Sequence, residues 1–310
     1  MTATLGTAER QRVRDRPVLL AALGAGCISC SGILVVLAAA GAATTAFYRC
    51  AFALPGLVAL AILEQRRHGS RTSSARAASW FAGLFFAVDL VLWTHAIVEV
   101  GAGVATVLGN LQVVFVALAA WMLLKERPTA QFLLALPVVL GGVVLVSGLV
   151  GHRGVGRDPL AGILYGAATS LAYAAFLLIL RRSTRTAHVA GPLADATAGA
   201  AVGSLLLGAM FGGLDLAPAW PALGWLLLLA VTSQTLGWLL ITSSLPRLPS
   251  AVSSLLLLLQ PVAALALAFL VLGERPSWLQ LLGALLICAG VMTVARSAAA
   301  SAPVGEPAGT

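Results

Sequence analysis

Stretches of about twenty apolar residues, separated by short clusters of Gly, Pro and charge, run through nearly the whole chain. A helix needs roughly that length to cross a hydrocarbon core of about 30 Å. Backbone inside lipid must satisfy its own hydrogen bonds, which makes helices the natural spanning element. The pattern predicts ten spanning helices, at 17–38, 42–63, 77–97, 102–124, 130–150, 159–181, 190–212, 220–244, 249–272 and 277–296. The breaks fall at "EQRRHGSRTSSAR", "KERP", "GHRGVGRDP", "RRSTRTAH", "PRLP" and "GERP", which are rich in residues that stop or turn a helix.

One stretch is written twice. "LQVVFVALAAWMLLKERP", from Leu111 to Pro128, returns as "LQPVAALALAFLVLGERP", from Leu259 to Pro276, with eight of eighteen positions identical at an offset of 148. The same offset carries the first five spans onto the last five, placing Gln112 on Gln260 and Gly142 on Gly290. The expected organisation is a cytoplasmic tail at 1–16, a five-helix repeat at 17–150, a second at 159–296, and a disordered tail at 297–310. An odd number of spans per repeat makes the second copy enter the membrane from the opposite face. Two inverted repeats of this kind are a recurring plan of secondary transporters.

Composition agrees with the pattern and charge orients it. Sixty per cent of the residues are apolar and 10% are charged, against roughly a quarter charged in soluble domains. A net charge of +8 suggests acidic partners in a soluble protein, but in a membrane protein the positions of Lys and Arg matter more than their sum. With the N-terminus inside, fifteen of the nineteen fall in cytoplasmic segments and three, Arg153, Arg157 and Arg275, fall outside. The asymmetry predicts a multi-pass protein of the inner (plasma) membrane with both termini cytoplasmic, and no nucleic-acid partner. Arg49 alone lies within a span. Cys27, Cys30, Cys50 and Cys288 all sit in apolar runs and read as small interior residues. No metal, phosphate-loop or other cofactor motif is present.

The paired five-span units, "RCAF" in span two, "DLVLWTHAI" in span three, and the two segments ending in Glu-Arg-Pro resemble the EamA-like family of the drug/metabolite transporter superfamily, over about residues 17–296. The resemblance implies an all-α integral membrane fold, ten helices in two inverted repeats around a central cavity, and export of amino acids, metabolites or toxic organic compounds. An importer or facilitator of the same fold is the alternative, followed by a membrane sensor or an intramembrane enzyme using Asp89 and His95. Relatives usually carry a proline after the position of Gln112; Val113 stands there, whereas Pro261 follows Gln260.

Polar residues at mid-depth are the candidates for binding a small-molecule substrate, because an ionisable group there costs about 2.5–3.5 kcal/mol on insertion scales and must face a cavity or a partner. Asp89 and Trp93 share a helical face. Asp89 can carry protons as coupling ions, or it can form a structural bond, for example with Arg49. Arg49 can bind a carboxylate or pair internally. Gln112 and Gln260 stand at equivalent depths, as ligand groups or as interhelical glue. Asn110 shares a face with Thr106. Tyr165, Thr169 and Tyr173 stack along span six, and Gln234 with Trp238 along span eight. Glu126 and Glu274 read as local partners of Arg127 and Arg275 at turns.

Overall fold

The computed structural model describes residues 17–112, 114–115, 118–119, 122, 130–146, 157–183, 188–244 and 250–300. Glu126 and the KERP turn, the tail at 1–16 and residues 301–310 lie outside them. The helices are α1 (Pro17–Ala38), α2 (Ala42–His68), α3 (Ser73–Val100), α4 (beginning Ala102–Gly109), α5 (Ala130–Val146), α6 (Pro159–Ser183), α7 (Ala190–Phe211), α8 (Ala222–Ser244), α9 (Ser250–Leu272) and α10 (Trp278–Ala300). There is no strand among the described residues. α1, α2, α3, α6, α7 and α8 are long and apolar enough to cross a membrane, and shorter apolar helical stretches occupy Leu133–Val146, Leu259–Leu272 and Trp278–Gly290. α10 continues as helix to Ala300, past the span end expected at 296. α9 runs through Pro261 without interruption.

The helix ends show why the chain breaks where it does. Thr72 caps α3, its hydroxyl accepting from the Ala75 amide at 3.3 Å. Ser277 and Gln280 form a reciprocal capping box at the start of α10, at 2.9 and 3.3 Å, which satisfies amides that the first helical turn leaves without partners. Between α3 and α4 the chain reverses at Gly101 with φ of +87°, and a Cβ there would meet the Glu274 carboxylate at 3.0 Å.

Helix pairing follows the repeat. α3 packs on α6 and α7, α2 on α7 and α8, and α1 on α8, while α4 meets α9 and α5 meets α10. Advancing each helix number by five carries α3–α6 onto α8–α1 and α3–α7 onto α8–α2. The pairs α2–α7, α4–α9 and α5–α10 map onto themselves, and each of the three is antiparallel. Thr44, early in α2, donates to the Gly213 carbonyl just beyond α7 at 3.2 Å. Glu64, late in α2, accepts from the amides of Val189, Ala190 and Gly191 at 2.6, 3.2 and 2.8 Å. Gly142 faces Gly283, Gly290 faces Val139, and Gln280 donates to the Val146 carbonyl at 3.2 Å. Gly103, at the start of α4, faces Leu265, about two turns before the end of α9.

The α3–α7 crossing leaves no room for side chains. A Cβ on Gly83 would stand 2.1 Å from the Ala196 carbonyl oxygen, and one on Gly199 would stand 2.0 Å from that of Trp80. Small residues allow backbones this close, and dispersion then holds helices together where lipid tails offer no hydrophobic drive. Against a backbone oxygen nothing can yield cheaply. Gly199→Ala is therefore expected to lower detergent thermostability by at least the roughly 1–3 kcal/mol typical of overpacking. Gly56→Ala in α2, whose Cβ meets nothing within 4 Å, is the matched control and should be neutral or slightly stabilising.

Carboxylates cap two helices from a distance. Besides Glu64 on α7, Glu274 accepts from the amides of Ala102 and Gly103 at the start of α4, at 2.8 and 3.3 Å. Glu64→Ala should cost about 1–2 kcal/mol, the upper range for loss of a cap, and thermal unfolding of Glu64→Ala beside Glu64→Asp will measure it.

Candidate functional site

Two buried apolar clusters divide the interior, and the candidate residues divide with them. The first contains Cys50, Phe86, Leu90, Phe176, Ala196 and Trp238, with Tyr173 packed against it. Phe86 and Phe176 stack with centroids 4.5 Å apart, and Trp238 meets Phe86, Phe176 and Tyr173 at 5.8, 5.7 and 6.0 Å. α3, α6 and α8 thus share one aromatic knot. Edge-on and stacked arrangements of this kind add to the burial of the rings themselves.

Polar groups ring this knot. Asp89 is buried and takes the Thr169 hydroxyl, which lies 2.7 Å from both its Oδ1 and its backbone carbonyl. One hydroxyl hydrogen serves only one of these acceptors at a time. Arg49, next to Cys50 on α2, is 4% exposed, and its Nε has no partner. Arg49 and Asp89 form no ion pair: among the described residues the ion pairs are Arg71–Asp195 and Arg76–Asp195, both toward the α2–α3 turn. Gln234 is fully buried, its Nε2 donating to Thr197 at 3.2 Å while its Oε1 is unpartnered. Ser204, on the same helix as Thr197, also has a buried, unpartnered hydroxyl.

Gln234 sits in a π-helical stretch, Ala230–Gly237, inside α8. The wider turn is stitched from within and without. Thr235 donates to the Ala230 carbonyl at 2.9 Å, and Ser233 donates to that of Cys27 on α1 at 2.9 Å. π-turns are rare and are frequent at functional sites. Here the turn directs Gln234 inward beside α7.

Trp93, Asn110, Gln112 and Gln260 lie apart from this group. Trp93 packs against the second cluster, built from Leu34, Ile97, Val107 and Leu108 among others. Asn110 donates to its own helix at Thr106, 2.9 Å away. Gln112 has a buried, unpartnered Oε1. The Gln260 backbone carbonyl accepts from Ser29 on α1 at 3.2 Å, and its side chain is half-buried. The structure therefore joins Asp89, Tyr173 and Trp238 around the knot, with Arg49 and Gln234 on helices that pack against it. It places Trp93 against the second cluster, while Asn110 bonds its own helix and the Gln260 carbonyl bonds Ser29 on α1.

The α6 stripe lies on one side, and each member meets α3. Tyr165 stacks on His95 at 5.3 Å, Thr169 bonds Asp89, and Tyr173 packs near Phe86 at 6.4 Å. Glu274 departs from its expected role as a local partner of Arg275, because the start of α4 offers two amides that need an acceptor. Thr197 and Ser204, along with Glu64, were not singled out from the sequence. Small hydroxyls scattered through apolar runs give no pattern until helices are paired, although a lone acidic residue near the end of an apolar helix, as at Glu64, is a readable signal. The four cysteines are free thiols. Among the described residues no cluster of His, Cys, Asp and Glu could hold a metal.

No curated protein matches the chain. A crystal structure described only as that of a protein shares 19% identity with it, covers 90% of this chain and 97% of its own, and superposes with a TM-score of 0.59, a likeness of fold. The family model for EamA-like transporters matches twice, over residues 16–148 and 160–296. With both matches bounded at the joint between α5 and α6, and with the helical pairing repeating across it, the chain belongs to the EamA-like transporter family.

Proposed function

We propose that the protein is a secondary transporter that exports a small metabolite, amino acid or toxic organic compound by alternating access. Its substrate is bound in the interior lined by Arg49, Asp89, Tyr173, Gln234 and Trp238, with Trp93, Asn110, Gln112 and Gln260 on the path. The observation that carries the reading is a set of buried polar atoms without a protein partner among the described residues: Arg49 Nε, Gln112 Oε1, Ser204 Oγ and Gln234 Oε1, together with Ser31 Oγ in α1 and Arg71 Nη1, whose other nitrogen pairs with Asp195. Each costs free energy unless something else bonds it, and a membrane interior has little water to do so. A substrate with polar groups satisfies them during transport, and the aromatic knot beside them accepts its apolar part.

The antiparallel pairs α2–α7, α4–α9 and α5–α10 support ten spans in two inverted repeats. Two related halves of opposite orientation can exchange conformations and open a central site to either side. The charge bias supports cytoplasmic termini in the inner membrane, with the KERP turn inside and the GERP turn outside. Cysteine labelling in a background lacking the four native cysteines should modify a probe beside Glu126 from the cytoplasm and one beside Glu274 from outside; labelling of both from one side defeats the inverted arrangement.

A metabolite-resistance screen of overexpressing cells supplies the transported compound. With it, Arg49→Met is expected to weaken apparent affinity about 10- to 100-fold, the scale of a lost charge-assisted hydrogen bond. Thermostability should hold or rise, since the change removes a buried unpaired charge. Gln112→Leu should likewise reduce transport more than yield. A parallel loss of yield and thermostability in both variants would mark the groups as structural.

Asp89 is the candidate proton carrier. The Thr169 bond favours a second reading, in which Asp89 is interhelical glue and the protein is an uncoupled facilitator. In proteoliposomes with an imposed proton gradient, Asp89→Asn should abolish gradient-driven accumulation while leaving downhill exchange; unchanged accumulation across pH 6 to 8 assigns Asp89 the structural role.

A further inference from the structure

The corner between α9 and α10 has an unused cation above an apolar slot. α9 and α10 are neighbours in the chain, but each is drawn to a different partner, α9 to α4 and α10 to α5. Between them a slot of about 570 Å³ opens, within the range of small-molecule sites. Val262, Leu265 and Phe269 wall it from α9, and Leu281, Leu285 and Cys288 from α10. These are two apolar stripes at helical spacing. Phe269 is 54% exposed and Leu285 65%, so the slot opens outward, toward hydrocarbon when the protein is in a bilayer. Arg275 and Pro276 close one end.

The other polar residues at that end already have partners. Glu274 caps α4, Ser277 caps α10, and Gln280 links the α10 capping box to the end of α5. Arg275 is exposed and makes no ion pair among the described residues. The neighbour that might have neutralised it, Glu274, is turned away to the α4 amides. The result is a guanidinium at a helix end, about where a span meets the headgroups, standing over an apolar slot that runs along the helices. A guanidinium binds phosphate through paired donors, and a slot open to hydrocarbon suits an acyl chain.

We infer that the α9–α10 slot holds one anionic diacyl phospholipid, with an acyl chain between the two helices and its phosphate on Arg275. The lipid fills the gap that the diverging helices leave and neutralises a cation without an ion pair among the described residues. One basic side chain near a membrane surface is worth roughly fivefold in binding to an anionic lipid.

Native mass spectrometry of the full-length protein in detergent, titrated with dioleoyl phosphatidylglycerol or dioleoyl phosphatidylcholine, tests this. The wild type should retain one phosphatidylglycerol with at least about a fivefold preference over phosphatidylcholine. Arg275→Gln should erase the preference. Ala266→Phe, which fills the slot from an exposed position of α9, should reduce retention of both lipids; thermal unfolding without added lipid verifies that both variants fold. Equal retention of the two lipids by the wild type, or an undiminished preference in Arg275→Gln, overturns the inference. So does a dimer that Ala266→Phe dissociates, because the slot would then be a contact between two copies of the chain.

Discussion

The contact on which the rest of the molecule depends is the approach of α3 to α7 through Gly83 and Gly199. Backbone oxygen faces Cα there, with no space for a methyl group. This fixes the level of α3 in the bundle, and with it the level of everything α3 presents to α6: His95 on Tyr165, Asp89 on Thr169, Phe86 on Phe176. Because α7 also lies antiparallel along α2, held at its two ends by Thr44 and Glu64, the same crossing sets Arg49 against the knot. A displacement at the glycines would be felt by the aromatic rings and the buried charges together, since packed interiors transmit strain rather than absorb it.

The helices were legible because their determinant, an apolar run of spanning length, is local. Six of the expected spans have helices of spanning length at their places and the other four have helical stretches within them, with ends moved by a few residues where an exposed polar extension continues the helix, as α2 does through Arg66 and Arg67 to His68. The pairing was partly legible through the offset of 148, which matches α2 with α7, α4 with α9 and α5 with α10 but not the partners of α1, α3, α6 and α8, and does not name the faces that meet. The faces were not readable, because in an all-round apolar helix no amphipathic stripe marks the buried side. Small residues mark it instead, and Gly83 and Gly199 look no different in sequence from Gly26 and Gly56, which touch nothing.

The site was less legible than the fold, for a related physical reason. A polar residue in an apolar run is conspicuous, so Asp89, Arg49, Gln112 and Gln234 could be picked out, but its partner decides its role and the partner is remote in sequence. Asp89 and Thr169 are eighty positions apart. Glu274 is the sharpest case: adjacent to Arg275 and before a proline, it reads as half of a local ion pair, yet its acceptor capacity goes to amides 171 and 172 residues away. Amides at the start of a buried helix have no intrahelical acceptor, and in a region short of water they outcompete a neighbouring guanidinium that solvent can satisfy. The π-turn of α8 carries no sequence signature either; "AVTSQTLG" contains no Pro, and its wider hydrogen bonding appears only once Ser233 has α1 to bond.

Comparing partnered with unpartnered polar groups separates scaffold from site. Glu64, Glu274, Gln280 and Thr72 all sit at helix ends with every relevant bond made, and their work is to hold helices at fixed heights. Ser31 Oγ, Arg49 Nε, Ser204 Oγ and Gln234 Oε1 lie within α1, α2, α7 and α8 without a partner, and Gln112 Oε1, just past Gly109 of α4, also lacks one; Arg71 Nη1 is unpartnered beside its own ion pair. A fold that caps two helix starts across more than a hundred residues is well able to satisfy buried polar atoms. Leaving such atoms unpaired in the interior is therefore costly by about 1–3 kcal/mol each, a cost recovered only when something enters to bond them. A site that is destabilised when empty favours conformations that admit a ligand or water, and that coupling of occupancy to conformation is what alternating access requires.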